Sequence, residues 1–432
     1  MSKNRAQSTV PVKVTRTSHS IEMVDGARKI LGVQQTTCCI VGGGPGGAVL
    51  ALLLARQGIS VMLLESHKDF DRDFRGDTIH PSVMEIMDEL DLADRLLQIR
   101  HTKTHKLTAI TADGPVTFAD FSCLKTRYPY IVMLPQVSFL EFITIEAQRY
   151  PHFQLVMGAN VQELIEENGV ICGVRYRGHR GWHEIRAQLT VGADGRFSRT
   201  RQLAGMQLIK TAPPMDILWF RLPRRPEEPE DGMGRFGRGR LLVLTNRFEY
   251  WQVGYLIPKG KYQQLHAAGI EVLQQSITEV MPELADRVKH LKEWKQISLL
   301  TVEAGRLSRW YRSGLLLIGD AAHVMSPVGG VGINYAIQDA VVAANVLSSP
   351  LKVGQVRLHD LAAVQRQREL PTRIIQWFQS FLQQQIIAKA INSDKPFTPP
   401  KVMHLPILRN IPAQLLGFGI LPAHLLTRQY KS

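Results

Sequence analysis

Two glycine-rich stretches and a few carboxylates carry the clearest chemistry in this 432-residue chain. Gly42-Gly43-Gly44-Pro45-Gly46-Gly47 follows a short β-rich run, residues 36–41, and precedes an alanine- and leucine-rich helical stretch, residues 48–57. Gly42, Gly44 and Gly47 form a G-x-G-x-x-G. The first glycine permits a tight turn, the second lets the backbone approach a pyrophosphate, and the third lets helix and strand pack closely. The start of the helix then aims unpaired N–H groups and its positive dipole end at the phosphates. Gly58 is placed to end that helix in the left-handed conformation. Residues 60–64 read as a second strand with Glu65 at its end, where an acid accepts hydrogen bonds from an adenosine ribose.

Such a fingerprint suits NAD and FAD alike, and residues 315–340 decide between them. A buried strand at 315–318 leads into Gly319-Asp320-Ala321-Ala322-His323, placing Asp320 where a carboxylate binds the hydroxyls of a ribityl chain. The loop Pro327-Val328-Gly329-Gly330-Val331-Gly332-Ile333-Asn334 lets backbone N–H groups approach the N1/C2-carbonyl edge of a flavin ring. A helix starting near Gly332 adds its positive end there, which stabilises negative charge on a reduced flavin. Between these stretches, Asp194-Gly195 follows Val191 at a strand end.

In this order the three motifs resemble those of the FAD-dependent aromatic hydroxylases, the single-component flavoprotein monooxygenases similar to para-hydroxybenzoate hydroxylase. The resemblance covers about residues 36–350. It implies a Rossmann-like FAD-binding domain with a parallel sheet, interrupted by an inserted, mostly antiparallel-sheet substrate domain and followed by a helical C-terminal tail. Carried over by position, Gly42, Gly44, Pro45, Gly46, Gly47, Glu65, Arg75, Gln136, Asp194, Asp320, Gly332, Ile333 and Asn334 are the expected cofactor-binding residues. Pro327 is expected to line the substrate side of the flavin, and no acid or base is assigned. His323 is expected to pack the loop, and Asp77 and His80 receive no role. The implied reaction uses NADPH or NADH and O2 to hydroxylate an aromatic or other electron-rich apolar small molecule through a flavin C4a-hydroperoxide. Only one dinucleotide fingerprint is present, which argues against disulfide reductases and Baeyer–Villiger-type enzymes. A flavin-dependent reductase of an isoprenoid-like substrate and a non-catalytic carrier on the same fold are the alternatives. A halogenase is disfavoured because a WxWxIP signature is missing.

The elements around these motifs divide the chain. Residues 36–105, 123–213 and 305–350 are expected to form the FAD-binding domain. Residues 106–122 and 214–304 are expected to form the substrate domain, the first piece as a hairpin turning at Asp113-Gly114. A helix is expected around 82–97, and residues 139–149 read as an amphipathic helix with Phe139, Leu140, Phe142 and Ile143 on its apolar side. Strands are expected at 153–161, 170–176, 183–191, 216–222, 248–256 and 297–303, and helices at 263–277, 281–292 and 332–347. Alternation puts Ile217, Trp219 and Arg221 on one face of the 216–222 strand and Glu249, Trp251, Val253 and Tyr255 on one face of the 248–256 strand, and these two faces are expected to line the cavity above the flavin. Trp219, Arg221 and Trp251 are the expected substrate contacts.

The formal charge of +14 suggests nucleic acid or an anionic membrane at first sight. Its distribution says otherwise. Residues 1–35 carry a net +4 and residues 352–432 a net +8, leaving the body between them near neutral at +2. No nucleic acid is expected as a partner. Residues 1–35 read as a disordered basic arm, although their Ser, Thr, Lys and Arg content leaves organellar import open. Residues 351–432 read as a helical tail. Within it, 373–391 is amphipathic through Ile374, Trp377, Phe378, Phe381 and Leu382. Residues 403–425 are apolar and broken by Pro406, Pro412 and Pro422; they suit docking on the protein's own surface or peripheral membrane contact. Cys38, Cys39, Cys123 and Cys172 form neither a disulfide framework nor a zinc motif, which fits a reducing, cytoplasmic setting.

Overall fold

The computed structural model of the protein describes residues 23–25, 28–71, 76–398 and 406–426. Four parallel strands cross its main sheet in the order Phe153–Met157, Val61–Glu65, Arg28–Val41 and Gly181–Gly192. Leu315–Leu317 joins in parallel beside the end of the last, and Val170–Gly178 with Asn160–Glu167 extend the sheet antiparallel. All five side chains of Val61–Glu65 are buried, as a strand covered on both faces requires. The helices Pro45–Arg56 and Gly332–Val353 pack together over one face, sharing a core of Leu50, Leu53, Ile337 and Val341. Cys38 and Cys39 are fully buried on the first strand, and burial raises both thiols above their ordinary range, which keeps them inert.

Several element boundaries differ from expectation. The first strand begins at Arg28 instead of near Thr36 and pairs in parallel with Trp182–Arg186 on the neighbouring strand. Residues 28–35 therefore belong to the sheet, while residues 1–22 of the expected arm lie outside the described residues. The helix expected over 82–97 is two, Pro81–Glu89 and Ala93–Leu96, separated where Asp91 takes a φ of 59°. The run at 153–161 breaks at Gly158, whose φ of 71° turns the chain from one edge of the sheet toward the other. The stretch at 281–292 forms short 3-10 turns in place of a helix.

A second sheet of seven strands runs Ser298–Leu300, Met215–Pro223, Tyr250–Pro258, Arg240–Arg247, Met233–Gly237, Lys106–Thr111 and Gly114–Asp120. The hairpin at 106–120 joins this sheet through the parallel pairing of Thr108–Ile110 with Met233–Arg235. One face of this sheet is closed by the helix Ile270–Val280, with Leu273 and Ile277 packed on Leu218, Phe220 and Leu242. The other face looks toward the glycine loops.

The tail is part of the body. Leu358–Leu382 continues through a π-helical turn, Gln383–Ile387, into Ala388–Ile391. Its packing departs from the expected face in part: Phe378 is buried and Leu382 packs against the same core, but Trp377 and Phe381 are exposed and stack on each other, whereas Gln376 and Gln379 are buried. The helix Pro406–Gly417 docks on the protein's own surface, with Ala413 and Leu416 packed among Phe121, Met325 and Tyr335. No helix among the described residues is long and apolar enough to cross a membrane.

Candidate active site

The carboxyl ends of the parallel strands bring the two glycine-rich stretches together. Val41 pairs with Leu64 and with Gly192, and Gly192 pairs with Leu317, so Gly42, Glu65, Asp194 and Asp320 emerge along one rim. The strand Arg28–Val41 has Val61–Glu65 on one side and Gly181–Gly192 on the other, and a crevice opens where the strand order reverses in this way.

Sterics explain the glycines. A Cβ on Gly42, whose φ is 107°, would stand 2.5 Å from the Ala193 carbonyl oxygen, and one on Gly47 would overlap the Gly42 carbonyl oxygen. One on Gly46 would come within 2.9 Å of the Ala336 carbonyl oxygen on the second helix. A Cβ on Gly44 would meet nothing nearer than 4.0 Å, so the backbone there is bare toward the crevice. Gly44 caps the helix beginning at Pro45, and no side chain caps it; the helix beginning at Gly332 likewise lacks a side-chain cap. Two helix amino ends with unspent N–H groups therefore meet at the Gly46–Ala336 contact. That is a fitting cradle for the phosphates and anionic ring edge of FAD.

Glu65 is held ready at the next strand end. Its Oε2 accepts from the Gly43 N–H at 3.0 Å, and its Oε1 pairs with His67 Nδ1 at 2.6 Å. Burial alone would raise this carboxyl, but the hydrogen bonds from His67 and Gly43 outweigh it and keep the pKa below its ordinary value. Asp194 is spent internally: Ser198 Oγ donates to Oδ1 at 2.5 Å, and the Thr200 N–H and hydroxyl donate to Oδ2 at 2.8 and 2.9 Å. It anchors the following turn. Asp320 lies in a 3-10 turn, half-buried, with its carbonyl receiving Arg201 Nη1 at 3.3 Å. Arg75 lies outside the described residues, but its neighbour Gly76 faces Ile333, whose Cδ1 is 3.2 Å from where a Gly76 Cβ would stand.

The flavin-loop end is wired by two buried side chains. Asn334, 1% exposed, accepts from the His80 N–H at 2.8 Å and donates to the Thr78 and Gly330 carbonyls at 3.2 Å each. Its side chain ties residues 78–80 to the glycine loop, which leaves the backbone at 334 as the part of this residue that can face a cofactor. Asp339 receives the Gly319 N–H at 3.0 Å and His323 Nε2 at 2.6 Å on the same oxygen. His323 thus packs the loop from within. Gln136 opens the helix Gln136–Gln148, and its N–H donates to Asp77 Oδ1 at 3.0 Å.

The remaining wall is the open face of the seven-stranded sheet. Register places Ala109, Gly234, Val243, Gly254 and Trp219 side by side across five strands. The row holds two glycines, an alanine and a half-exposed valine, and so forms a shallow trough. Trp219 closes it, with ring atoms 3.0 Å from where a Gly254 Cβ would stand. One end is covered by Val328 and by Ile387 and Ile391 of the tail. At the other, Arg247 pairs with Asp77 and donates from Nε to Gln252 Oε1 at 3.2 Å. Burial raises the Asp77 carboxyl against the pull of the Arg247 guanidinium. Arg221 shares this face but is exposed, near Tyr250. Trp251 does not share it: paired with Leu222, it points the other way, donating to Glu228 Oε2 at 2.8 Å within the helix-covered core. Its assignment as a substrate contact is overturned, because strands offset in register put odd-numbered residues on opposite faces. The sequence left Asp77 unassigned and passed over Arg247, since their signal is a contact between segments far apart in the chain.

Comparison with known proteins agrees with this arrangement. Residues 35–377 match the family described as FAD binding domain. Over 325 residues the chain is 36% identical to the 6-methylpretetramide 4-monooxygenase of Streptomyces rimosus, covering 74% of this chain and 77% of that protein. Among solved structures, a probable FAD-dependent monooxygenase from Pseudomonas aeruginosa superposes with a TM-score of 0.71 at 21% identity, over 83% of this chain and 97% of that one. The anhydrotetracycline hydroxylase of Streptomyces rimosus superposes with a TM-score of 0.69 at 22% identity, over 89% and 76%.

Proposed function

The chain belongs to the FAD-binding-domain family of FAD-dependent monooxygenases, and from that premise we propose that it hydroxylates a planar, fused-ring phenolic substrate of the aromatic polyketide class. The observation that carries the substrate class is the trough Ala109–Gly234–Val243–Gly254–Trp219. The part of the floor formed by Ala109, Gly234 and Val243 accepts a flat ring system that bulkier residues would exclude, and Trp219, packed over Gly254, offers it an aromatic face. The 36% identity to a monooxygenase named for 6-methylpretetramide supports the same choice.

In this reading Gly42–Gly47 and Glu65 hold the dinucleotide end of FAD, while Asp320 binds its ribityl chain. The backbone of Gly332 and Ile333 faces the ring. When bound, FAD would accept a hydride from NADPH or NADH and, once reduced, activate O2. The chain supplies position, exclusion of water and fixed dipoles. The helix that starts at Gly332 stabilises negative charge at the ring edge, and Pro327 bounds the substrate side. Arg247, with Nε and Nη2 spent on Gln252 and Asp77, is a buried cation four residues along its strand from Val243, where it would orient a phenolic oxygen at that end of the trough.

The test is anaerobic flavin reduction by NADPH and by NADH across a panel of mono-, bi- and polycyclic phenols, followed by admission of isotope-labelled O2. Faster reduction with the polycyclic phenols, and label in the product, is expected. Hydrogen peroxide as the sole product across the panel would refute the proposal. Asp320→Ala should fold yet retain little FAD; full flavin occupancy would contradict the role given to Asp320.

A further inference from the structure

One face of the helix Leu358–Leu382 and its π-helical continuation buries Gln365, Arg368, Thr372, Gln376, Gln379 and Gln383, spaced three or four residues apart. A buried stripe of glutamines is unusual, because such side chains are mostly exposed unless their polar atoms are matched. Here the amide nitrogens of Gln376 and Gln379 are matched by backbone carbonyls, while Gln379 Oε1 has no partner. Gln376 Nε2 donates to the Gly305 and Val324 carbonyls at 3.0 and 3.2 Å, serving two short strands, Ala304–Arg306 and His323–Val324. Gln379 Nε2 donates to the Ser326 and Val328 carbonyls at 2.9 and 2.7 Å. Gln383 Nε2 reaches the Ser326 hydroxyl. The two carbonyls held by Gln379 flank a single residue, Pro327.

The π-helical turn Gln383–Ile387 re-aims the end of this helix. Such a turn inserts an extra residue and rotates the remainder of the helix by about 100°. Gln383 thereby stays on Ser326 while Ile387 and Ile391 face Leu241 and Leu256 on the open face of the seven-stranded sheet. One element thus touches both walls of the trough, the Pro327 loop and the sheet.

We infer that Gln379, supported by Gln383, is a positioning residue that fixes Pro327 against the flavin and so sets the gap in which substrate meets the cofactor. The inference rests on the reading of Pro327 as the boundary on the substrate side. It gives the C-terminal tail a part in the reaction that its distance in sequence from the motifs conceals.

Full-length protein carrying Gln379→Met is to be compared with wild type and with Gln365→Met. The control loses another buried amide on the same helix face, one that bonds Trp310 N–H, the Ser308 carbonyl and Glu369 instead of the Pro327 loop. Readouts are melting temperature, FAD affinity by flavin fluorescence, the visible spectrum of bound FAD, and peroxide released per NADPH oxidised with a polycyclic phenol present. Both variants should lose some stability and keep FAD affinity near wild type. Gln379→Met alone should alter the flavin spectrum and raise the peroxide yield about tenfold, the scale expected of sub-ångström misplacement at a reacting centre. Wild-type spectrum and yield in Gln379→Met, or equal changes in both variants, would overturn the inference. If wild type itself releases only peroxide, the substrate reading fails, and the spectral comparison still decides the role of Gln379. Should Gln379→Met not fold, Gln383→Met carries the same expectation with a smaller spectral change.

Discussion

Arg368 donates from Nε to Asp339 Oδ1 at 2.8 Å, and the two side chains are 1% and 0% exposed. The arginine comes from the tail helix and the aspartate from the helix that starts at the flavin loop. The other oxygen of Asp339 holds the Gly319 N–H and His323, so one carboxylate joins the tail to the turn that presents Asp320. Burial would raise this carboxyl, but His323 and Arg368 together hold it below its ordinary value.

Removing one partner of such a pair leaves a buried charge uncompensated. Arg368→Met should cost about 3–5 kcal/mol in denaturant unfolding. Asp339→Asn combined with Arg368→Met should cost less than the sum of the single changes, because the double variant strands no charge. Since the folded pKa of Asp339 lies below the unfolded one, its contribution is present above the unfolded value and is lost as pH falls through the folded value. Additive losses would show that the two residues stabilise independently.

Gly44 separates cofactor binding from folding. Its φ is −70° and a Cβ there would touch nothing, so Gly44→Ala apoprotein should melt with wild type. The same Cβ projects into the phosphate cradle, and FAD affinity should fall by about tenfold or more. Gly47→Ala, whose Cβ would overlap the Gly42 carbonyl, should instead fail to fold. Fluorescence titration with FAD beside a melting curve checks both; unchanged FAD affinity in Gly44→Ala would remove the cradle from this turn.

The two tryptophans of the inserted sheet should behave oppositely. Trp219→Ala widens the trough and should change which ring systems are hydroxylated, with little effect on FAD content. Trp251→Phe removes the indole N–H from Glu228 in a closed core and should cost about 1–2 kcal/mol without altering selectivity. Product profiles and unfolding curves on the same preparations would reveal a swap of these roles.

His80 supplies a pH signature. It is fully buried, its Nδ1–H donates to the Leu416 carbonyl at 2.7 Å, and burial depresses its pKa from 6.5 to about 4. As pH falls, the unfolded chain takes up this proton first, so stability present above pH 6.5 is lost between there and about 4. The loss attributable to His80 is on the order of 3 kcal/mol. In His80→Asn the amide can keep the bond to Leu416, and this part of the slope should vanish. A wild-type slope in that variant would assign the acid sensitivity to other groups.

Local pattern determined the nucleotide-binding half of this protein. Glycine at 42 and 47 was legible because a tight strand-to-helix turn constrains residues a few positions apart, and steric limits on φ and Cβ leave only glycine there; the strand ends that present Glu65 and Asp320 were legible as short apolar runs. Tertiary structure decided the rest. Trp251 proved to be core because the face a strand residue occupies depends on pairing register, which the alternation within one strand does not fix. The tail shows the limit most clearly: hydrophobic periodicity marked Trp377, Phe378 and Phe381 as its inner face, yet of these only Phe378 is buried, and Gln376, Gln379 and Gln383 lie inside with it. A glutamine is polar in a sequence and becomes interior only where a distant loop leaves backbone carbonyls for it to satisfy.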